Sequence, residues 1–90
     1  MKKLRNTNYA REIASASTPV NNGDGMIERI FIKGDNEEAY RFSWWKDSRM
    51  IPRPLDITEV QLLKLMEKAI LENVFTDNFL NKLTMLLERK

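Results

Sequence analysis

The hydrophobic pattern changes its period once along the chain, and this change limits the folds that are open to it. Over residues 26–45, apolar and polar side chains alternate as they do in strands that are buried on one face. A loop containing Gly34 and Asn36 interrupts the alternation, and both residues tolerate the positive φ of a tight turn. The pattern predicts an antiparallel hairpin with strands at 26–33 and 38–45.

Two helix start signals follow the alternating region. Thr58 precedes a run of apolar residues at helical spacing, and Gln61 stands where it would complete a capping box. Thr76 precedes a second run of the same kind. We expect helices over 59–72 and from Thr76 toward the end of the chain, joined by a short link in which Asn73 takes the left-handed conformation. Because the link is short, the two helices should lie side by side and antiparallel.

These elements predict an α+β domain of ββαα type over residues 26–90, in which an antiparallel β-hairpin is followed by an antiparallel two-helix hairpin. Residues 1–25 are poor in large apolar side chains and end in small and turn-forming residues, so we expect a flexible basic N-terminal tail and linker. This segment holds four of the 15 basic and two of the 13 acidic side chains, and therefore the whole net charge of +2. The predicted domain is neutral.

The absence of histidine and cysteine excludes several kinds of site. Disulfides, zinc ligation by His or Cys, and catalytic triads that use His or Cys all need residues that this chain lacks. No base stands near a serine, and no carboxylate pair is placed by its spacing to face another, so we expect no catalytic residue, no metal and no cofactor. No stretch approaches the roughly 18 apolar residues of a transmembrane helix, and we expect a cytoplasmic protein without a membrane partner.

The outer face of the hairpin is the candidate binding surface. We expect Tyr40, Phe42 and Trp44 to face the helices, joined from the first strand by Ile30 and Ile32. The side chains between them then point outward and combine aromatic rings with arginine, which dominate many protein-binding surfaces. The candidate partner-binding residues are Arg29, Phe31, Lys33, Arg41 and Trp45 on this face, Arg49 and Arg53 beside it, and a secondary patch at Val60 and Leu71 on the first helix.

Trp45 allows two interpretations. The segment 46–56 contains Pro52 and Pro54 and is expected to be a stiff connector between sheet and helix. Trp45 is either an exposed anchor for a partner, with Trp44 inside, or a structural residue that packs over the prolines of the connector. A bulge near the end of the strand would exchange the two tryptophans.

The sequence favours recognition over catalysis. A folded part of about 65 residues buries little surface, so dimerisation or burial against a larger protein would stabilise it. We expect a non-enzymatic module that binds another protein as a regulator, inhibitor or assembly factor, with a homodimer as an open possibility. The alternative is nucleic-acid binding through the basic-aromatic face and the basic tail, which the neutral charge of the domain disfavours. The small size and the use of Lys, Asn and Ile resemble accessory proteins of low-GC bacteria and their phages, without indicating a family.

Overall fold

The computed structural model describes residues 4–90. One antiparallel sheet contains four strands in the order of the sequence, namely β1 (Ala10–Val20), β2 (Gly23–Ile32), β3 (Glu37–Lys46) and β4 (Arg49–Ile51). Two helices follow it, α1 (Glu59–Leu71) and α2 (Asp77–Glu88). The α+β class and the order of strands before two helices are confirmed. The predicted hairpin is the central pair, β2 and β3, of a larger sheet.

The first strand lies in the segment that was expected to be a flexible tail. β1 pairs with β2 from Ala10 to Val20, with a bulge at Ile13, so that expectation is wrong for residues 10–25. The predicted boundary at residue 26 falls inside β2. The β1–β2 turn uses Asn22 at φ 59° and Gly23 at φ 140°, and an Asn-Gly pair is a strong hairpin signal. The part of the tail prediction that concerns residues 1–3 lies outside the described residues.

The register of β2 against β3 differs from the one that alternation suggested. Arg29 lies opposite Tyr40, and directly paired residues share a face of the sheet. Ile27 therefore joins Tyr40 on the side of the helices, whereas Ile30 and Ile32 lie on the opposite face. The prediction that Ile30 and Ile32 join the helix-covered core is wrong, because alternation within each strand does not fix the register between two strands.

A short fourth strand occupies part of the predicted connector, segment 46–56. Asp47 at φ 51° and Ser48 at φ 65° reverse the chain in a tight turn. The following residues then pair with the end of β3, where Met50 lies opposite Trp45. The connector is therefore stiff only after β4, where its prolines stand.

The helix signals are confirmed at the level of single hydrogen bonds. Thr58 Oγ1 accepts the backbone N–H of Gln61 at 3.2 Å, and the Gln61 side chain accepts the backbone N–H of Thr58 at 2.9 Å. Thr76 Oγ1 accepts the backbone N–H of Phe79 at 3.1 Å and so caps α2. Asn73 has the expected positive φ, at 57°. These signals are local, which explains why the sequence is sufficient to place them.

The hydrophobic core lies between α1 and the first two strands. Leu65 and Ala69 of α1 are fully buried against Ala16 and Ile27 of the sheet. The small side chains of β1 allow the helix to approach closely. Phe42 was expected in this core, but 53% of its surface is exposed because α1 covers β1 and β2 rather than β3.

The second helix is attached mainly through its first turn. The ring of Tyr40 contacts Phe75 and Phe79 at centroid distances of 5.5 and 5.6 Å, and its hydroxyl accepts the backbone N–H of Thr76 at 3.1 Å. Leu80 packs against the edge of the core. No residue of α2 is buried, so most of its apolar side chains remain on the surface.

Candidate functional site

The predicted binding face is divided between the two sides of the sheet. Because Arg29 pairs opposite Tyr40, it lies with Phe31 on the helix side, whereas Arg41 and Trp45 lie on the opposite side. Lys33 follows the end of β2 in the turn. The expectation that these five residues form one surface is wrong.

The residues on the helix side and in the turn already have partners within the chain. Arg29 donates to a carboxylate oxygen of Glu38 at 3.3 Å, and the guanidinium of Arg11 lies 5.3 Å from the ring centroid of Phe31. Lys33 Nζ donates to the side chain of Asn6 and to the carbonyl of Thr7, both at 2.6 Å. These contacts tie the N-terminal residues to the sheet.

Arg41 and Trp45 belong to a partly buried polar cluster that we call the Glu28 cluster, which comprises Arg5, Glu12, Glu28, Arg41 and Trp45. Arg41 donates from Nε to Glu28 at 3.2 Å, and Arg5 donates to the other oxygen of the same carboxylate. Arg5 also contacts Glu12 at 3.4 Å and lies 4.7 Å from the ring centroid of Trp45. The cluster holds the N-terminal segment against the face of the sheet that the helices leave open.

The carboxylate of Glu28 is charged within this cluster. Its side chain is fully buried, and burial raises the pKa of the carboxyl group. The hydrogen bonds from Arg41 and Arg5 have the opposite effect and outweigh the burial, so the pKa lies below its ordinary value. Glu28 is therefore an internal anchor for two arginines.

The two tryptophans lie on opposite faces, as expected. Trp44 is on the side of the helices and donates from Nε1 to the carbonyl of Asn22 at 3.2 Å. Trp45 is on the other side, only partly exposed, and donates from Nε1 to Ser43 Oγ at 2.8 Å. Its contacts with Ser43 and Arg5 make Trp45 at least partly structural.

Beside the divided face, Arg49 and Arg53 are both exposed. Within residues 4–90, neither of them forms an ion pair. They stand at the two ends of the segment that contains β4 and the first proline of the connector. Their role as partner-binding residues stays a prediction.

The secondary patch at Val60 and Leu71 is part of a larger apolar groove between α1 and α2, with a volume of about 570 Å³. We call it the helical groove. Its apolar residues are Val60, Leu63, Met66, Ile70 and Leu71 from α1 and Leu83 and Leu87 from α2, and Lys64 and Glu67 complete its lining. The most open of its apolar side chains, Val60, Leu63, Ile70, Leu71 and Leu87, are 45–71% exposed.

Helical periodicity alone would place most of this groove in the core. The spacing of Leu63 and Ile70 on α1, and of Leu83 and Leu87 on α2, indicates apolar arcs that need a neighbour. Periodicity correctly detects that need, yet it does not show whether the neighbour is the rest of the same chain. The structure buries only Leu65 and Ala69 of α1, whereas Met66 is partly buried and Leu63 and Ile70 are exposed.

Two smaller cavities add no clear chemistry. One, of about 340 Å³, lies between Ala16 and Ser17 of β1 and Lys68 and Leu71 of α1. The other, of about 140 Å³, lies beside Trp44. In the part of the chain that the structure describes, Asp and Glu side chains form no group of three or more that could hold a metal ion. Over the same residues, neither helix has the length and apolar character needed to cross a membrane.

Comparison with known proteins gives no relative for this chain. No family model matches it, and neither a curated protein nor a solved structure shows significant similarity. The helical groove and the charges around it are therefore the basis for assigning a function.

Proposed function

We propose that the chain is a non-enzymatic protein-binding module and that the helical groove receives a helix from another polypeptide chain. The observation that carries this proposal is the contiguous set of large apolar side chains on two adjacent helices. Folded domains rarely leave such a patch exposed unless another molecule covers it. The proposal moves the binding surface from the outer face of the hairpin to the helices.

The dimensions of the groove support a helical ligand. Val60 and Leu71 are 11 positions apart on α1, which corresponds to about 16 Å or three helical turns. The facing wall is supplied by Leu83 and Leu87, one turn apart on α2. An amphipathic helix of about three turns with apolar residues at i, i+3 or i+4, and i+7 would fill such a groove.

The expected affinity is moderate. Covering a leucine that is two-thirds exposed contributes about 1.5 kcal/mol, so the five most open side chains would contribute on the order of 7 kcal/mol. The ordering of side chains and the loss of free motion reduce this sum, whereas contacts made by the rest of the ligand add to it. A dissociation constant in the micromolar range, equivalent to about 8 kcal/mol, is consistent with these terms.

The charges around the helices favour a protein ligand over a nucleic acid. Lys64 and Glu67 both line the groove, and residues 59–90 hold five acidic and five basic side chains. Phosphate binding needs a basic excess on one surface. The basic-aromatic face on which the nucleic-acid alternative depends is divided between two sides of the sheet.

A cytoplasmic regulator, inhibitor or assembly factor is the class of protein that this proposal fits. Such proteins commonly act by presenting or covering an apolar helical surface. The absence of cysteine is compatible with a reducing compartment.

The proposal is tested with a fluorescent, neutral amphipathic peptide of about 18 residues, long enough to form a helix on binding. Fluorescence anisotropy should show that Leu87→Lys weakens binding of this peptide by about tenfold or more, because the new charge enters the groove. Leu86→Lys is the matched control, since the neighbouring leucine is almost equally exposed but does not line the groove. Equal affinities of the two variants, or no binding by the unmodified protein at concentrations at which it is monomeric, would contradict the proposal.

A further inference from the structure

We infer that the helix which occupies the helical groove belongs to a second copy of this chain, so that two helical hairpins pack face to face in a homodimer. This inference rests on the proposed function and names the partner. Three features of the structure support a second copy: the lack of burial along α2, the charges of the groove and the extent of its apolar surface.

The second helix needs a neighbour whenever the chain is folded. α2 has 12 residues, none of them buried, and an isolated helix of this length is only marginally stable in water. Its first turn is held by the aromatic contacts of Phe79, but Met85, Leu86 and Leu87 are 60–66% exposed. A partner that is required permanently must be present wherever the chain is made, and a second copy meets this condition.

The charges that line the groove suit self-association. In a two-fold dimer each contact between residue i and residue j occurs twice, because the same surface is used by both copies. Lys64 and Glu67 have opposite charges, so Lys64 of one copy can pair with Glu67 of the other in both halves of the interface. The balance of five acids and five bases over residues 59–90 removes any net repulsion between the two hairpins.

The apolar surface is large enough for a stable dimer. An interface of standard size buries about 800 Å² on each partner. A well-exposed aliphatic side chain offers about 100 Å², so the five open groove residues supply on the order of 500 Å². This is close to the apolar share, about 65%, of a standard homodimer interface. Polar atoms at the rim would complete an interface of the usual size.

Sedimentation equilibrium of the full chain over a wide concentration range tests this inference. We expect the unmodified protein to approach twice its mass of 10.6 kDa at high micromolar concentration. Leu63→Lys should raise the dissociation constant of the dimer by about tenfold or more, because it places an ammonium group in the groove. Met50→Lys is the control, since it changes an exposed apolar residue on the opposite side of the sheet. A monomeric mass at every concentration would overturn the inference, and so would a dimer that Leu63→Lys leaves unchanged.

Exchanging the charges of Lys64 and Glu67 gives a second test, whose expected result cannot be produced by a loss of folding. Lys64→Glu and Glu67→Lys should each weaken the dimer, and the double variant should recover part of the loss if the two side chains pair across the interface. If the double variant recovers no affinity, the proposed pairing of Lys64 with Glu67 and the two-fold arrangement based on it are both contradicted. If the protein remains monomeric but binds the amphipathic peptide in its groove, the second copy is excluded and the proposed function stands. If the monomeric protein also fails to bind the peptide, both the second copy and the proposed function are contradicted.

Discussion

Replacing Gly23 with alanine should destabilise the protein by about 3 kcal/mol or more, because the new side chain has no room and the backbone conformation does not suit it. Gly23 has a φ of 140°, which residues with a Cβ rarely adopt. A Cβ built at this position would stand 2.1 Å from the carbonyl oxygen of Trp45, a backbone atom that cannot move without distorting β3. The expected result is a much lower midpoint of urea unfolding.

Gly34→Ala is the matched control for this prediction. Gly34 lies in the β2–β3 turn, where an added Cβ would have no atom within 4 Å, and its φ is not in the positive range. The change should shift the free energy of unfolding by less than about 1 kcal/mol, because its main effect is to restrict the unfolded chain. Equal losses in the two variants would show that the β1–β2 turn does not pack on β3 as described.

Removing the charge of Glu28 should be the other strongly destabilising change. Glu28→Gln removes the carboxylate that Arg41 and Arg5 share, although Arg5 keeps its contact with Glu12. Because both guanidinium groups are partly exposed, the cost is below that of a fully buried ion pair, at about 2–3 kcal/mol. For a domain of this size such a loss corresponds to a fall in the melting temperature of about 10–20 °C. Thermal unfolding followed by circular dichroism measures it.

The control for Glu28→Gln is Glu38→Gln. Glu38 forms an ion pair with Arg29 at 3.3 Å, but about half of its side chain is exposed to solvent. Exposed pairs contribute about 0–1 kcal/mol, so this variant should be nearly as stable as the unmodified protein. Similar losses in both variants would contradict the buried position of Glu28.

The same cluster predicts how stability depends on pH. Because the pKa of Glu28 is lower in the folded chain than its ordinary value of 4.5, the carboxylate contributes its full stability above that value. The contribution is lost as the pH falls through the lower pKa of the folded state. Between neutral and strongly acidic pH, the unmodified protein should therefore lose more stability than Glu28→Gln, and parallel curves would contradict the assignment.

The sequence alone predicts where both helices begin, because the signals that start a helix are local. Thr58, Gln61 and Thr76 specify the helix starts through contacts within three residues, and Asn73 marks the left-handed turn between them. The first strand was missed because its side chains are mostly Ala, Ser and Thr over 14–18, which resemble a linker in composition. The burial of Ala16 comes from the close approach of α1, and that of Glu12 from the cluster on the opposite face. These are tertiary contacts without a local signal, and the Asn22-Gly23 turn is the local feature that indicates the strand.

The candidate site was only partly predictable for a related reason. The placement of Val60 and Leu71 on the exposed side of α1 followed from periodicity, and the structure includes both in the helical groove. The basic-aromatic face depended on the register between β2 and β3, and a shift of one residue moved Arg29 to the other side. Local patterns therefore locate apolar surfaces more reliably than they combine residues from different strands.

Amide hydrogen exchange along α2 is the measurement that tests most directly whether another chain covers the helical groove. Exchange would be followed by mass spectrometry in the full chain, in one arm at low and high protein concentration and in the other with and without the amphipathic peptide. We expect residues 77–88 to exchange at least about tenfold more slowly when the groove is covered, with β2 and β3 unchanged. Beyond its first turn, α2 has no buried residue and gains most of its protection from the chain that covers it. Exchange rates in α2 that stay the same in both arms would contradict the assignment of the groove as a binding site.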